Sequence, residues 1–251
     1  MAILVFQHAP QDNPACLGRV LRDCGHRLRI IELHEGDCLP TDLDDVDGIV
    51  SMGGPMNLDQ SDVHPWMADQ MALLRTAHET SVPVVGVCLG AQLVAAALGG
   101  EVGAMPAAEN GWHPVQLTAA GTTDPILAGI PWRTSQFHVH GQEVTKLPAE
   151  AIGLAGSKLC KHQAFKVGLR TYVFQYHFEW DRADIDCVLE TDVAPTGVDI
   201  DSIKGESHQH YDLYRRLGDR LANTVTELLF PLDRRLNHTK GPVANYDASQ
   251  S

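Results

Sequence analysis

The sequence predicts an α/β fold: an open, mostly parallel sheet with helices on both faces. Three observations support this. Short apolar, β-branched runs alternate with helical patterns through the first hundred residues, and the runs are too brief to be helices. Strand, helix, strand, helix in that rhythm needs crossover connections, which lay helices over both faces of a parallel sheet. The 251-residue chain is long enough to bury a core of that kind.

The elements follow in order. "AILVF" (2–6) and "LRIIEL" (28–33) are strands, separated by the helical "ACLGRVLRDCG" (15–25). "DGIVSMGG" (47–54) is a third strand ending in two glycines. A helix over 66–78 carries Met67, Met71 and Leu74 on one side. "VPVVGVC" (82–88) is a fourth strand, and an alanine-rich helix begins just after Cys88. The middle of the chain is more β-like: "WHPVQLT" (112–118), "TSQFHVHGQEV" (134–144), "AIGLAGS" (151–157) and "RTYVFQYHFE" (170–179). Tyr214, Leu217, Leu221, Val225 and Leu228 recur at three and four residues, which predicts a helix with that face buried. Residues 1–231 read as one domain and 232–251 as a polar tail.

Composition narrows the function. The net charge is −13, from 32 acidic and 19 basic residues, which argues against nucleic acid or an anionic membrane as partner. No apolar run approaches the roughly 20 residues of a membrane span. The N-terminal stretch has no basic region ahead of a long apolar core, so the cytoplasm is the expected location. The six cysteines show neither CxxC pairs nor zinc spacing and are expected as free thiols.

Three motifs point to chemistry. Gly86-Val87-Cys88-Leu89-Gly90 has the form of a nucleophile elbow with cysteine in the central position, strand before and helix after. A helix N-terminus stabilises a nearby anion by about 1 kcal/mol, or roughly one pKa unit. That leaves most of an ordinary thiol protonated at neutral pH, so a base is required. "YVFQYHFEW" (172–180) offers His177 as that base. In an extended chain Glu179 lies on the same side, about 7 Å away at the backbone, where it can orient the imidazole. Gly53-Gly54-Pro55 after the third strand lets backbone approach a substrate closely. With the Leu89 N–H it can supply two donors to an oxyanion. His138 and His140 alternate on one strand face, His140-Gly141 bordering the pocket, and His208 and His210 read as an exposed face. No metal site is expected.

Together "SMGGPMN", "GVCLGAQLVAAALGG" and "FQYHFEW" resemble, in order and spacing, the motifs of class I glutamine amidotransferase domains. The likeness extends to "DVDGIVSMGGP", "ENGWHPV" (109–115) and "KHQAFKVG" (161–168), and is strongest to the stand-alone branch similar to the glutaminase domain of GMP synthetase. The resemblance implies a flavodoxin-like three-layer sandwich. It also implies Cys88 as nucleophile, His177 as general base, Glu179 as its orienting acid, and Gly54 and Leu89 as oxyanion-hole positions. Gln92 is the implied contact to the glutamyl portion of the substrate; Gly53, His140 and Gly141 are further expected substrate contacts.

The implied reaction is hydrolysis of glutamine to glutamate and ammonia through a γ-glutamyl thioester, with no cofactor. Its implied partner is an ammonia-accepting synthetase or transferase. A γ-glutamyl peptidase acting on a glutathione-like conjugate would use the same triad, and a catalytically silent regulatory relative would keep the fold. One departure stands out: the family commonly reads His-Pro-Glu, and here Phe178 occupies the proline position.

Overall fold

The computed structural model describes residues 1–190 and 199–232. In chain order the elements are β1 (Ala2–Gln7), α1 (Ala15–Asp23), β2 (Leu28–Glu32), β3 (Val46–Ser51), α2 (Trp66–Glu79), β4 (Val84–Val87) and α3 (Leu89–Ala97). They continue with β5 (Glu101–Leu117), α4 (Ala119–Thr123), β6 (Arg133–Lys146), β7 (Ala151–Gly156), β8 (Ala164–Val167), β9 (Thr171–Phe174), α5 (Arg182–Glu190) and α6 (Ile200–Leu229). Residues 233–251, most of the expected tail, lie outside the described residues.

The described strands form one nine-stranded sheet in the order β2-β1-β3-β4-β9-β8-β7-β5-β6. From β2 to β9 every pairing is parallel. Beyond β9 every pairing is antiparallel, so the sheet is mixed and the expected α/β architecture carries an antiparallel wing. Side chains that alternate along a strand feed separate cores on the two faces. Ile3 and Val5 of β1 meet α1 and α6 through Leu17, Leu21, Leu221 and Val225. Leu4 and Phe6 of the same strand meet α2 and α3 through Met67, Leu74, Leu93 and Val94. A third cluster joins Trp112 and Phe137 of the wing to Trp180, Ile185 of α5 and Tyr214 of α6.

Several expectations are revised. The strand expected over 170–179 stops at Phe174; beyond it the Gln175 N–H donates to the Gln163 carbonyl at 2.8 Å and an isolated bridge joins His177 to Phe137. The strand near 112–118 is the end of a 17-residue β5 whose first half shows little apolar alternation and is held by its partner β6. A register shift between Ala104 and Glu109 lets Glu109 face His140 across the hairpin. α6 is 30 residues long, and its last buried leucine is Leu229, not Leu228, which is 51% exposed. The helix rotates 100° per residue, so the Val225 face continues at Leu229, four residues on.

Candidate active site

The cavity sits at the carboxyl ends of β1, β3, β4 and β9, where the loops leaving parallel strands form a crevice. It measures about 350 Å³, and its walls include Asp12, Gly54, Cys88, Gln92, His140 and His177. The segment after β3 contributes Met56 and Asn57 to its walls, and β5 contributes Ala108 and Asn110.

Cys88 stands between β4 and α3 with φ 51° and ψ −109°, a left-handed conformation that an L-residue adopts only under constraint. The constraint comes from glycines on both sides. A Cβ on Gly86 would lie 2.7 Å from the Gly90 carbonyl oxygen, and one on Gly90 would collide with the Ser51 backbone. The tight turn raises the Cys88 sulfur toward the cavity, 3.8 Å from the Val139 carbonyl oxygen, with the residue 6% exposed.

His177 reaches the same cavity because β9 is the immediate neighbour of β4. Gly86 pairs with Val173 and Val87 with Phe174, and the Cys88 N–H donates to the Phe174 carbonyl at 2.9 Å. Three residues past that point, the His177 N–H donates to the Phe137 carbonyl at 3.0 Å. The His177 Nδ1 lies 2.8 Å from Glu179 Oε1, so Nδ1–H donates to the carboxylate and Nε2 is left for the sulfur side. Burial alone would lower the His177 pKa. The Glu179 charge, followed by the hydrogen bond with Cys88, overrides burial and raises it to about 10.

Phe178, in the proline position, is itself an anchor. Its ring packs edge-on against Phe174 with centroids 5.0 Å apart, in the same core as Tyr172 and Tyr176. The alternation expected from the sequence therefore persists past the end of β9: even-numbered side chains enter that core, while His177 and Glu179 meet on the other side. The Glu179 backbone is held as well, its carbonyl accepting from Cys16 N–H at 3.1 Å and Arg215 Nη1 at 3.2 Å.

Gly54 and Leu89 both line the cavity, and neither backbone N–H finds an acceptor among the described residues. Leu89 opens α3, so its N–H has no partner within the helix. Gly54 is oriented by a residue that carries no motif signal in the sequence. His8, fully buried, donates from Nδ1 to the Gly53 carbonyl at 2.8 Å. In a trans peptide the following N–H points the opposite way, so this bond turns the Gly54 N–H away from His8. Burial lowers the His8 pKa, which keeps the ring neutral in that role.

The remaining expected contacts are brought to the same place. Gln92 donates from Nε2 to the Gln142 carbonyl at 3.2 Å and the Gln175 side chain at 3.3 Å. His140 and Gly141 line the cavity, and His140 Nδ1 donates to the Gln142 carbonyl at 3.0 Å. Behind His140 the segments "ENGWHPV" and "KHQAFKVG" meet: Glu109 accepts from Ser157 Oγ at 2.6 Å and from the Gln163 side chain. Burial works against the Glu109 charge, but hydrogen bonds from His140 and Ser157 hold its carboxyl below the usual range. Glu109, His138 and His140 bring potential metal donors within 4.8 Å of one another. Both Glu109 oxygens are already occupied by the neighbouring side chains.

His208 is exposed, whereas His210 is half-buried against Trp112, so the expected exposed face holds for the first only. All six cysteines are unpaired. Among the described residues, no helix is long and apolar enough to cross a membrane.

A family model described as "Glutamine amidotransferase class-I" matches residues 14–186. The chain is 34% identical over 181 residues to one of the subunits of the glutamine-hydrolyzing GMP synthase of Archaeoglobus fulgidus, covering 71% of this chain and 89% of that protein. The crystal structure of SMU.1228c superposes with a TM-score of 0.81 at 26% identity, over 90% of this chain and 100% of that one. A glutamine amido transferase from Methylobacillus flagellatus gives 0.77 at 27% identity, over 91% and 93% of the two chains.

Proposed function

Because the chain belongs to the class I glutamine amidotransferase family, we propose that it hydrolyses the γ-carboxamide of L-glutamine to glutamate and ammonia through a thioester on Cys88. The observation that carries this reading is the 2.8 Å His177–Glu179 bond at the rim of a cavity that also holds the strained Cys88.

His177 takes the thiol proton, and the sulfur attacks the γ-carbonyl carbon. The carbonyl oxygen becomes an oxyanion facing the Gly54 and Leu89 N–H groups, which are fixed before the charge develops. The imidazolium then gives its Nε2 proton to the departing nitrogen as the C–N bond breaks, and ammonia leaves. Water, deprotonated by His177, opens the thioester and releases glutamate. Glu179 stabilises the imidazolium throughout. Gln92, His140 and Gly141 are the candidates for holding the glutamyl portion. Ammonia formed here would serve a separate synthetase or transferase, in keeping with the archaeal relative's being one subunit of a glutamine-hydrolyzing synthase. We place this activity in the cytoplasm.

The test is glutamate release from L-glutamine by the wild type, with Cys88→Ser as the blank. Release that vanishes in the variant, with circular dichroism unchanged, supports the reading. Equal release from both proteins removes Cys88 from the mechanism.

A further inference from the structure

One buried charge in the cavity has no role in the steps above. Asp12 lies in the loop between β1 and α1, is 6% exposed and lines the cavity. Among the described residues, its carboxylate has no hydrogen-bond or ion-pair partner. The loop holding it is fixed: Gln7 Nε2 donates to the Ala9 and Pro10 carbonyls at 3.0 and 3.1 Å, and the Asp12 N–H donates to Ala9 at 3.1 Å. A carboxylate buried without a partner is unfavourable unless something else satisfies it. Asp12 lines the cavity, so a bound substrate can supply that partner.

Its position within the cavity is specific. A Cβ placed on Gly53 would lie 2.5 Å from Asp12 Oδ1 and 3.0 Å from His177 Cε1. The carboxylate and the edge of the imidazole therefore crowd the same side of the Gly53 backbone. His177 must lie within hydrogen-bond reach of the nitrogen it protonates. Gln92, His140 and Gly141 line the same cavity from α3 and β6.

We propose that Asp12 forms the leaving-group subsite and selects γ-glutamyl substrates whose departing amine is an ammonia or a cationic amine over those whose departing amine carries a carboxylate. This inference rests on the hydrolytic reading above and adds a substrate class to it. The carboxylate accepts N–H bonds from the departing amine, and such charge-assisted bonds are among the stronger ones in proteins. An α-amino acid leaving group would bring its own carboxylate next to the scissile nitrogen and meet like charge. Burial raises the Asp12 carboxyl to about 6, with the positive His177 opposing that rise, so it is ionised above neutral pH.

The experiment compares kcat/KM at pH 8 for γ-glutamyl-1,4-diaminobutane, L-glutamine and γ-glutamylalanine, in the wild type and in Asp12→Asn. Expected is a wild-type preference for the diamine conjugate over γ-glutamylalanine that falls about tenfold or more in the variant. Labelling of Cys88 by a glutamine-mimicking electrophile checks that the variant is folded and has an open site. An unchanged ratio, with turnover and labelling intact, overturns the Asp12 assignment alone. An equal loss on all three substrates also overturns it, because that pattern belongs to recognition of the shared glutamyl α-ammonium. No glutamate release by the wild type from any substrate, together with unlabelled Cys88, overturns both this inference and the hydrolytic reading.

Discussion

The His177 imidazole lies flat on the Trp180 indole, with ring centroids 3.5 Å apart and planes 13° from parallel. A cationic imidazole in that position gains from the indole face as well as from Glu179. Both neighbours favour the protonated form, which the proposed reaction uses to protonate the leaving amine.

Activity should therefore persist into alkaline conditions and fall as the pH rises through about 10, where His177 loses its proton. Glu179→Gln removes the largest stabilising charge. The alkaline limb of kcat/KM should move to lower pH, and kcat should fall by about 100-fold or more. A pH profile of the two proteins decides this. An alkaline limb that stays in place would show that Glu179 does not set the His177 pKa.

The backbone strain at Cys88 yields a comparison of two inactive variants. Cys88→Gly and Cys88→Ala both lose the sulfur, but only glycine tolerates φ 51° with ψ −109° at low cost. The glycine variant should be more stable than the alanine variant by about 1–3 kcal/mol in urea unfolding. Equal midpoints would mean that the turn relaxes once the cysteine is gone.

Phe178 is 1% exposed and packs on Phe174 beneath the His177–Glu179 pair. Phe178→Ala should cost about 3–5 kcal/mol of stability through the cavity it leaves. Below its lowered melting temperature, the folded variant should also show a reduced kcat, because the backbone joining His177 to Glu179 loses its anchor. Full kcat in the folded variant would separate the packing from the chemistry.

Asp12 links stability to pH. Its folded-state pKa is raised from 3.8 to about 6, so the folded protein binds this proton more tightly than the unfolded chain does. The stabilising effect of that proton is complete below pH 3.8 and is lost as the pH rises through about 6. The difference is about 3 kcal/mol for this buried group. Asp12→Asn should flatten that part of the stability–pH curve and be more stable than the wild type at pH 8. Parallel curves for the two proteins would show that the carboxylate is solvated in the folded state.

The parallel half of the sheet was legible because each strand there is a compact β-branched run bounded by a helical pattern. "VPVVGVC" followed by an alanine-rich stretch left little ambiguity. β8 and α5 were not recognised as elements. β4 and α1, of the same lengths, were recognised because they stand in the repeating strand–helix series, and β8 and α5 lie outside it. The first half of β5 escaped because its stability comes from pairing with β6, a contact between residues far apart in sequence.

The site divides along the same line. Cys88, His177 and Glu179 stood out as candidates because the chemistry proposed for them depends on local spacing: a glycine-flanked turn for the first, and two positions on one side of an extended segment for the others. His8 and Asp12 stand in a polar loop that carries no periodic or motif signal. What the sequence by itself determined is the family resemblance, the parallel strand–helix rhythm and the reactive residue types. Only the tertiary structure decided that β9 lies beside β4, bringing His177 to Cys88, and that His8 locks the Gly53 peptide. It also left Asp12 unpartnered next to the imidazole. The physical reason is that spacing along a chain records the local geometry of a turn or strand. Strand order, burial and the charge environment of a side chain arise from contacts between segments whose separation in sequence carries no such record.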